Sequence, residues 1–514
     1  MPPTRSSWPW WPLVAICLGT FMLLVDVTIV NVALPDIATS LHSSFAGLQW
    51  VIDGYALALA ALLMLTGSLA DRFGRRRLYL LGLAVFTAAS LACGLSPNAG
   101  ALVAARAVQG AGGAAMFATT AALIATVYHG RRRGIAFGVW GAVNGLAAAS
   151  GPLLGGLLTE GFGWPAIFLV NVPVAVAAVA LTRAVVTESA DPAAGPVDLA
   201  GALTFTVAAS ALVYGLISGG EHGWSAPRTL AALIGGACAL GVFLAVERAR
   251  TAPMLDLRLF RRGSFTALMT AAAVLSGGAF AHLAFTSIWL QSVLGLGAIE
   301  AGLVTVPMSL SAFAVSLAAG RWLHRASPAY PIGGGLALIG AGALLMTLVG
   351  PGSGPWTLLA GMVTTGLGVG AATPVLVSAA LAAVPARRAG MAGAAVNTFR
   401  QLGLAVGLAA FGTLFTARLS AAASAAGLPD GTAAALAGGR AAEITARRPE
   451  LSALVREAFA SGLDRVFTAA GLTALAAAAL VLLLVRPART EPAEPPGNDA
   501  REDLAAAHGA GDRR

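Results

Sequence analysis

The sequence predicts an all-α integral membrane protein of fourteen transmembrane helices, two six-helix bundles with two extra central spans between them. Three observations carry this. The 514-residue chain is 57% hydrophobic and 11% charged, with a mean hydropathy of +0.79, more apolar surface than a soluble core needs. Its apolar runs are about 20 residues long, the length a helix needs to cross a bilayer. Gly110, Gly112, Arg131, Arg132 and Gly134 recur as Gly366, Gly368, Arg387, Arg388 and Gly390, all at an offset of 256 residues. That offset pairs span 4 with span 12, as a duplicated half would.

Taken in order, the spans fall at about 12–34, 48–70, 78–95, 99–127, 134–158, 165–184, 199–219, 228–246, 265–291, 301–320, 331–350, 356–380, 391–417 and 463–485. Residues 1–184 then form the first bundle, 185–263 a linker carrying spans 7 and 8, and 264–485 the second bundle. Residues 418–462 read as a long extracytoplasmic loop, and 486–514 as a disordered cytoplasmic tail. Alternate loops hold the arginines: Arg72, Arg75, Arg76 and Arg77, then Arg131, Arg132 and Arg133, then Arg183, the segment 248–262, Arg321 and Arg325, and Arg387 and Arg388. By the positive-inside rule these loops are cytoplasmic, and an even span count puts both termini there. Trp8, Trp10 and Trp11 suit an interfacial aromatic belt.

All 32 basic residues are Arg, and they sit in short loops between apolar runs, so the charge of +9 is no nucleic-acid signal. Cys17, Cys93 and Cys238 lie inside apolar segments and imply no disulfide framework. No cleavable signal peptide is expected. The chain has no phosphate-binding GK[ST] loop, no metal-ligand spacing and no G-x-S-x-G elbow, so no enzyme, no metal and no bound cofactor is expected.

The informative residues are those that are costly to bury in a bilayer. Asp26 lies in span 1, Asp53 in span 2, Arg106 in span 4, His282 in span 9 and Arg400 in span 13. Counted from Pro35, Asp26 is about 12 Å deep, and Arg106 is about 10 Å deep from the same side, so the two could meet. Burial favours the protonated form of a carboxyl and a nearby guanidinium favours the ionised form. A carboxylate between these pulls is suited to proton coupling; a static ion pair that fixes packing uses the same residues. Asp53 is shallower, and Asn31, Gln49 and Trp50 join it as candidates for an outer substrate vestibule. His282 is either a packing residue or, opposite Asp26 at the same offset, a relay. Arg400 either neutralises an anionic substrate or meets a helix carbonyl end.

Glycine gives the next signal. Gly141, Gly145, Gly151-Pro152, Gly155 and Gly156 make span 5 a small-faced helix interrupted and kinked by proline, suited to a rocking interface or to tight static packing. Between spans 2 and 3, Gly67, Asp71, Arg72, Gly74, Arg75 and Arg76 form a charged turn that reads as a cytoplasmic gate. Asp71 can face the positive N-terminus of a helix from the other half.

At these motifs the chain resembles the major facilitator superfamily, and specifically its fourteen-span drug:proton antiporters. Leu24-Val-Asp-Val-Thr-Ile-Val-Asn-Val-Ala-Leu-Pro35 is similar to that family's span-1 motif. Gly67 through Arg77 resembles the superfamily's loop between spans 2 and 3, and Arg106, Gln109 and Gly110 its span-4 motif. Gly141 through Gly156 resembles the antiporter motif of span 5. Trp164, Ile167, Phe168, Asn171 and Pro173 match its span-6 entry, and Asp198, Gly201, Asn397, Arg400, Gln401 and Gly403 fit later segments. The resemblance implies alternating access, a proton-linked Arg106, and span 13 as the helix that Asp71 meets. Spans 10 and 13 lack the extra acids of members that expel dications, Glu300 sitting only at an edge, so a monocationic, neutral or weakly anionic amphiphile is expected. The expected protein is a monomeric multi-pass exporter of hydrophobic small molecules in the cell membrane, driven by the proton gradient. Its partners are small amphiphiles, protons and lipid, with no nucleic acid. Transport of one specific metabolite, or a non-transporting membrane sensor, are the alternatives.

Overall fold

A computed structural model describes residues 9–41, 45–190, 198–250, 253–322, 327–385, 388–429 and 431–485. The tail 486–514, Trp8, Arg325 and Arg387 lie outside them, as do the side chains of Asn31, Gln49, Pro152 and Arg321. The described residues are helical, with no strand among them.

The first seven helices are α1 (Trp11–Ser40), α2 (Phe45–Phe73), α3 (Arg75–Gly94), α4 (Ala99–Val127), α5 (Gly130–Phe162), α6 (Ala166–Leu169) and α7 (Asn171–Val185). A hairpin follows, α8 (Leu199–His222) and α9 (Pro227–Ala249). The second set is α10 (Gly263–Phe280), α11 (His282–Ile288), α12 (Ala298–Trp322), α13 (Ala329–Met346), α14 (Leu359–Ala382) and α15 (Ala389–Ala425). It ends with the short α16 (Thr432–Ala437) and α17 (Ala441–Arg447), then α18 (Ser452–Leu484). By length and composition, thirteen segments among the described residues can cross a membrane. The 33-residue α5 adds another long helix, about 50 Å at 1.5 Å per residue.

Helix boundaries follow from local chemistry. Asn98 caps α4 by accepting from the Ala101 N–H at 2.9 Å, and Asp198 caps α8 through the Gly201 N–H at 2.8 Å. Gly74, at φ 107°, turns the chain between α2 and α3, a conformation that a side chain would strain.

In the first bundle α4 packs between α2 and α3, and α1 lies against α5 and α7. In the second, α14 packs against α12 and α13, and α10 against α15 and α18. The recurring glycines occupy matching places. A Cβ on Gly110 would strike the Tyr55 carbonyl of α2, and one on Gly366 the Met308 carbonyl of α12. Gly112 likewise faces α3 and Gly368 faces α13. The bundles meet along α5–α12, α2–α15 and α4–α15. Between them the α8–α9 hairpin bridges α2 and α15: Thr206 Oγ1 of α8 donates to the Ala61 carbonyl at 3.3 Å, and Trp224 Nε1 in the turn after α8 to Thr413 Oγ1 at 2.9 Å. The most buried span is α4, at 78%, so α4 is central, whereas α9 packs against α8.

Several expectations need correction. The long loop expected at 418–462 is largely helical, because α15 runs on to Ala425, α18 starts at Ser452, and α16 and α17 lie between. A hydropathy ruler stops where polar residues begin, whereas an Ala-rich chain continues as helix beyond the apolar stretch. Pro35 does not end the first helix, which continues to Ser40, so depths counted from Pro35 are too small. Gly151-Pro152 does not interrupt α5 either. Proline removes one backbone hydrogen bond, a loss that neighbouring helices in a membrane bundle can absorb. Span 9, in contrast, is divided at Ala281 into α10 and α11 and ends in a π-helical turn, Trp289–Val293.

Candidate functional site

Asp26 and Arg106 do meet. Both are buried, at 0% and 1% exposure, and Arg106 Nη1 donates to Asp26 Oδ2. Asp26 Oδ1 accepts from Gln109 Nε2 and Asn171 Nδ2, each at 2.9 Å. Arg106 also donates through Nη1 to Gln109 Oε1 at 2.7 Å and through Nε to the Val51 carbonyl at 3.1 Å. Ser90 Oγ accepts from Gln109 and Asn171 and donates to the Phe168 carbonyl at 2.9 Å. The Tyr55 ring lies under the guanidinium, 4.1 Å from its carbon. Six helices (α1, α2, α3, α4, α6 and α7) therefore converge on one ion pair, and hydrogen bonds offset its desolvation. Asp26 has no accessible surface, so its carboxylate lies inside the first bundle rather than on a cavity wall.

Asp71 lies at the other end of α2. Its Oδ1 accepts from the Gly390 N–H and its Oδ2 from the Met391 N–H, both at 2.9 Å, at the first turn of α15. Arg75 donates to Oδ1 through Nη2 at 2.7 Å and through Nε at 3.1 Å. A carboxylate at a helix N-terminus takes up orphan N–H groups and complements the helix dipole. One turn earlier the helices touch at Gly67, where a Cβ would overlap the Ala394 Cβ and sit 2.9 Å from the Gly390 carbonyl oxygen. Asn397 Nδ2 donates to the Phe117 carbonyl of α4 at 3.1 Å. The Arg-rich halves of the two bundles are thus in contact.

The sequence model described as the Major Facilitator Superfamily matches residues 16–408. The chain belongs to that superfamily. Relatives include the multidrug resistance protein Stp of Mycobacterium tuberculosis, 38% identical over 80% of this chain and 76% of that protein. The tetracenomycin C resistance and export protein of Streptomyces glaucescens is 34% identical over 92% and 91%. The multidrug efflux pump LfrA of Mycolicibacterium smegmatis is 35% identical over 93% and 96%. The fold is similar to a crystal structure of the human organic anion transporter MFSD10 (TETRAN), with a TM-score of 0.63 at 15% identity, covering 93% of this chain and 100% of that one.

Other candidate residues of this superfamily member are placed as follows. Arg76 donates from its backbone to Glu188 Oε1 at 3.0 Å and from Nη2 to the Arg183 carbonyl at 2.8 Å. Its partners thus lie at the end of α7 and just beyond it, and its guanidinium meets a carbonyl rather than a charge. Arg72 lies 5.5 Å from the Phe73 ring centroid. A Cβ on Gly74 would strike the Glu188 carboxylate. Trp50 stacks on Tyr214 of α8 at 5.9 Å, which ties it to the inserted hairpin, and Asp53 is half-buried on α2. Gly141, Gly145 and Gly156 face α12, whereas Gly151 faces Thr28 of α1; Gly155 is buried. His282 is fully buried, edge-on to Phe467 at 5.5 Å, with no hydrogen-bond partner among the described residues for either nitrogen. Arg400 lies apart from the Asp26 network and donates through Nε to Ser276 Oγ at 3.3 Å.

The sequence reading placed Gln109, Asn171, Ser90 and Glu188 outside the site, naming Gln109 and Asn171 as motif residues only. The first three are uncharged but polar within apolar spans, and that was their available signal. Glu188 accepts from the Arg76 and Arg77 N–H groups at 3.0 Å each and so caps α3 from beyond α7, a contact that spacing does not reveal.

Proposed function

We propose that this protein is a proton-coupled antiporter of the fourteen-span drug family, exporting hydrophobic small molecules (drug, antibiotic or secondary metabolite) across the cytoplasmic membrane by alternating access. The Arg-rich face is the cytoplasmic one, both termini lie there, and the protein works as a monomer without a cofactor. The observation that carries this reading is the buried Asp26 carboxylate, held by Arg106, Gln109 and Asn171 where water does not reach it. The names of the relatives support export as the direction.

In this reading the contact of α2 with α15 is the closed cytoplasmic gate. Asp26 exchanges its proton only when α1 and α4 rearrange enough to loosen Arg106. Coupling then follows from geometry: a protonated Asp26 no longer anchors Arg106, so proton occupancy biases how the first bundle packs. Each inward proton releases about 2.3 kcal/mol per 100 mV of potential, so one or two can support a useful gradient.

The test is a substrate screen in inverted vesicles with an imposed pH gradient. Vesicles carrying the protein are expected to accumulate amphiphiles and to lose them when the gradient is dissipated. Accumulation that ignores the gradient would remove the proton from the mechanism.

The gate makes a separate prediction. Asp71→Asn keeps one acceptor oxygen for the first turn of α15 but loses the ionic bond to Arg75. Turnover is expected to fall roughly tenfold, equivalent to about 1.4 kcal/mol, while the substrate dissociation constant of the purified protein stays nearly constant. Collapse of binding would instead assign Asp71 to folding or to the substrate site.

A further inference from the structure

Two guanidiniums lie deep along the spans, Arg106 wholly buried and Arg400 partly buried, and they are treated differently. Arg106 has a carboxylate, an amide oxygen and a backbone carbonyl as acceptors. Arg400 has one acceptor among the described residues, the Ser276 hydroxyl at 3.3 Å, and no carboxylate within ion-pair distance. Its Nη1 is covered and has no hydrogen-bond partner among the described residues. A membrane interior supplies no water to satisfy such a group, so bundles ordinarily place an acceptor beside it.

Its position is also telling. Arg400 is eleven residues into α15, about 16 Å from the Arg-rich end of that helix and so near mid-membrane. One turn away Asn397 bonds to α4 of the other bundle, so Arg400 stands at the seam between the bundles. It is only partly buried and therefore borders accessible space. Beside it α10 and α15 approach backbone to backbone: a Cβ on Gly403 would overlap Ala273, and one on Gly407 would lie 3.0 Å from the Gly277 Cα. The α10–α15 crossing therefore lies within one to two turns of Arg400. Ser276 holds Nε and leaves the terminal nitrogens of the fork for something else.

We infer that Arg400 is the counter-ion for an anionic group on the transported molecule, so that the substrate class is amphiphiles bearing a carboxylate, sulfonate or comparably acidic oxygen. A guanidinium suits this because its paired N–H groups match two oxygens of one anion. The inference rests on the exporter reading but does not depend on proton coupling, and it selects one of the three charge classes that the sequence left open.

The test uses two probes with the same aromatic skeleton, anilinonaphthalene sulfonate and its uncharged analogue phenylnaphthylamine. Saturable binding of each is measured on the purified full chain in lipid nanodiscs. The wild type is expected to prefer the sulfonate by about tenfold or more, as a charge-assisted hydrogen bond allows. Arg400→Gln is expected to lose most of that preference, and Arg400→Lys, which keeps the charge but not the fork, to retain an intermediate one. The melting temperature of Arg400→Gln is expected to match or exceed the wild type, because no protein carboxylate loses a partner. Equal affinity of the wild type for both probes, no saturable sulfonate binding, or a parallel loss of both probes in Arg400→Gln would each overturn the proposal. Energised inverted vesicles test the exporter reading separately: if the protein exports amphiphiles at all, at least one of the two probes accumulates above the level of protein-free vesicles, whichever charge is preferred.

Discussion

Asp26→Asn is expected to abolish uphill export, so that accumulation in energised inverted vesicles drops to that of protein-free vesicles. The carboxylate takes three side-chain donors, from Arg106, Gln109 and Asn171, and is wholly buried. Asparagine is nearly isosteric but cannot bind or release a proton, so the coupling step is removed while most of the shape remains. Breaking a buried pair from one side costs about 3–5 kcal/mol, because the other charge is left uncompensated. Arg106 keeps the Gln109 and Val51 oxygens, which places the expected loss toward the lower end of that range. The double variant Asp26→Asn/Arg106→Gln separates stability from coupling. It removes the stranded charge and is expected to recover most of the melting temperature without recovering uphill export. Wild-type accumulation by Asp26→Asn under a pH gradient would remove Asp26 from the coupling mechanism.

On the proposed mechanism, Gly67→Val is expected to hold the α2–α15 gate open. A Cβ there overlaps the Ala394 Cβ and lies 2.9 Å from the Gly390 carbonyl oxygen, and neither can swing aside as a rotamer does. The helices must part, and the Asp71 bonds to the Gly390 and Met391 N–H groups lengthen with them. Overpacking of this kind typically costs about 1–3 kcal/mol. Charged to the closed state alone, that lowers its population relative to the open state by roughly fivefold to more than a hundredfold. Thr398, buried on α15, gives a reporter: with Cys238 replaced by Ser, Thr398→Cys is expected to react at least about tenfold faster with a membrane-impermeant maleimide once Gly67→Val is added. Uphill export should fall in step. If reactivity and export both stayed at control values, the α2–α15 contact would not be the closed gate.

Both predictions begin from residues that the sequence already marks as unusual. An Asp and an Arg at similar depth in apolar spans are costly on any reading, and a glycine beside a charged turn marks a tight place. Fold class was legible for the same reason, since a bilayer leaves the backbone few options and apolar length reports each span directly. Legibility ended where that rule stops applying. The segments on either side of residue 430 lie at the edge of the apolar pattern, where Ala-rich helix and loop look alike to a hydropathy ruler, and the chain chose helix. Gly151-Pro152 looked like an interruption because proline lacks an N–H, yet α5 continues through it.

The sequence alone determined the all-helical membrane class, the approximate places of most spans, the alternation of arginine along the loops, the recurrence at an offset of 256 residues and the short set of residues too polar to be idle. Those follow from composition and periodicity, which do not depend on what packs against what. Only the tertiary structure decided which of those residues work together. It enclosed Asp26 with Arg106, Gln109, Asn171 and Ser90, set Asp71 on the first turn of α15, and brought Glu188 to the start of α3. It also separated two arginines that look alike in sequence: Arg106 has its acceptors within the protein, whereas Arg400 has a covered nitrogen with none among the described residues. Hydrogen-bond satisfaction is a property of three-dimensional neighbours, so no one-dimensional pattern could have distinguished them.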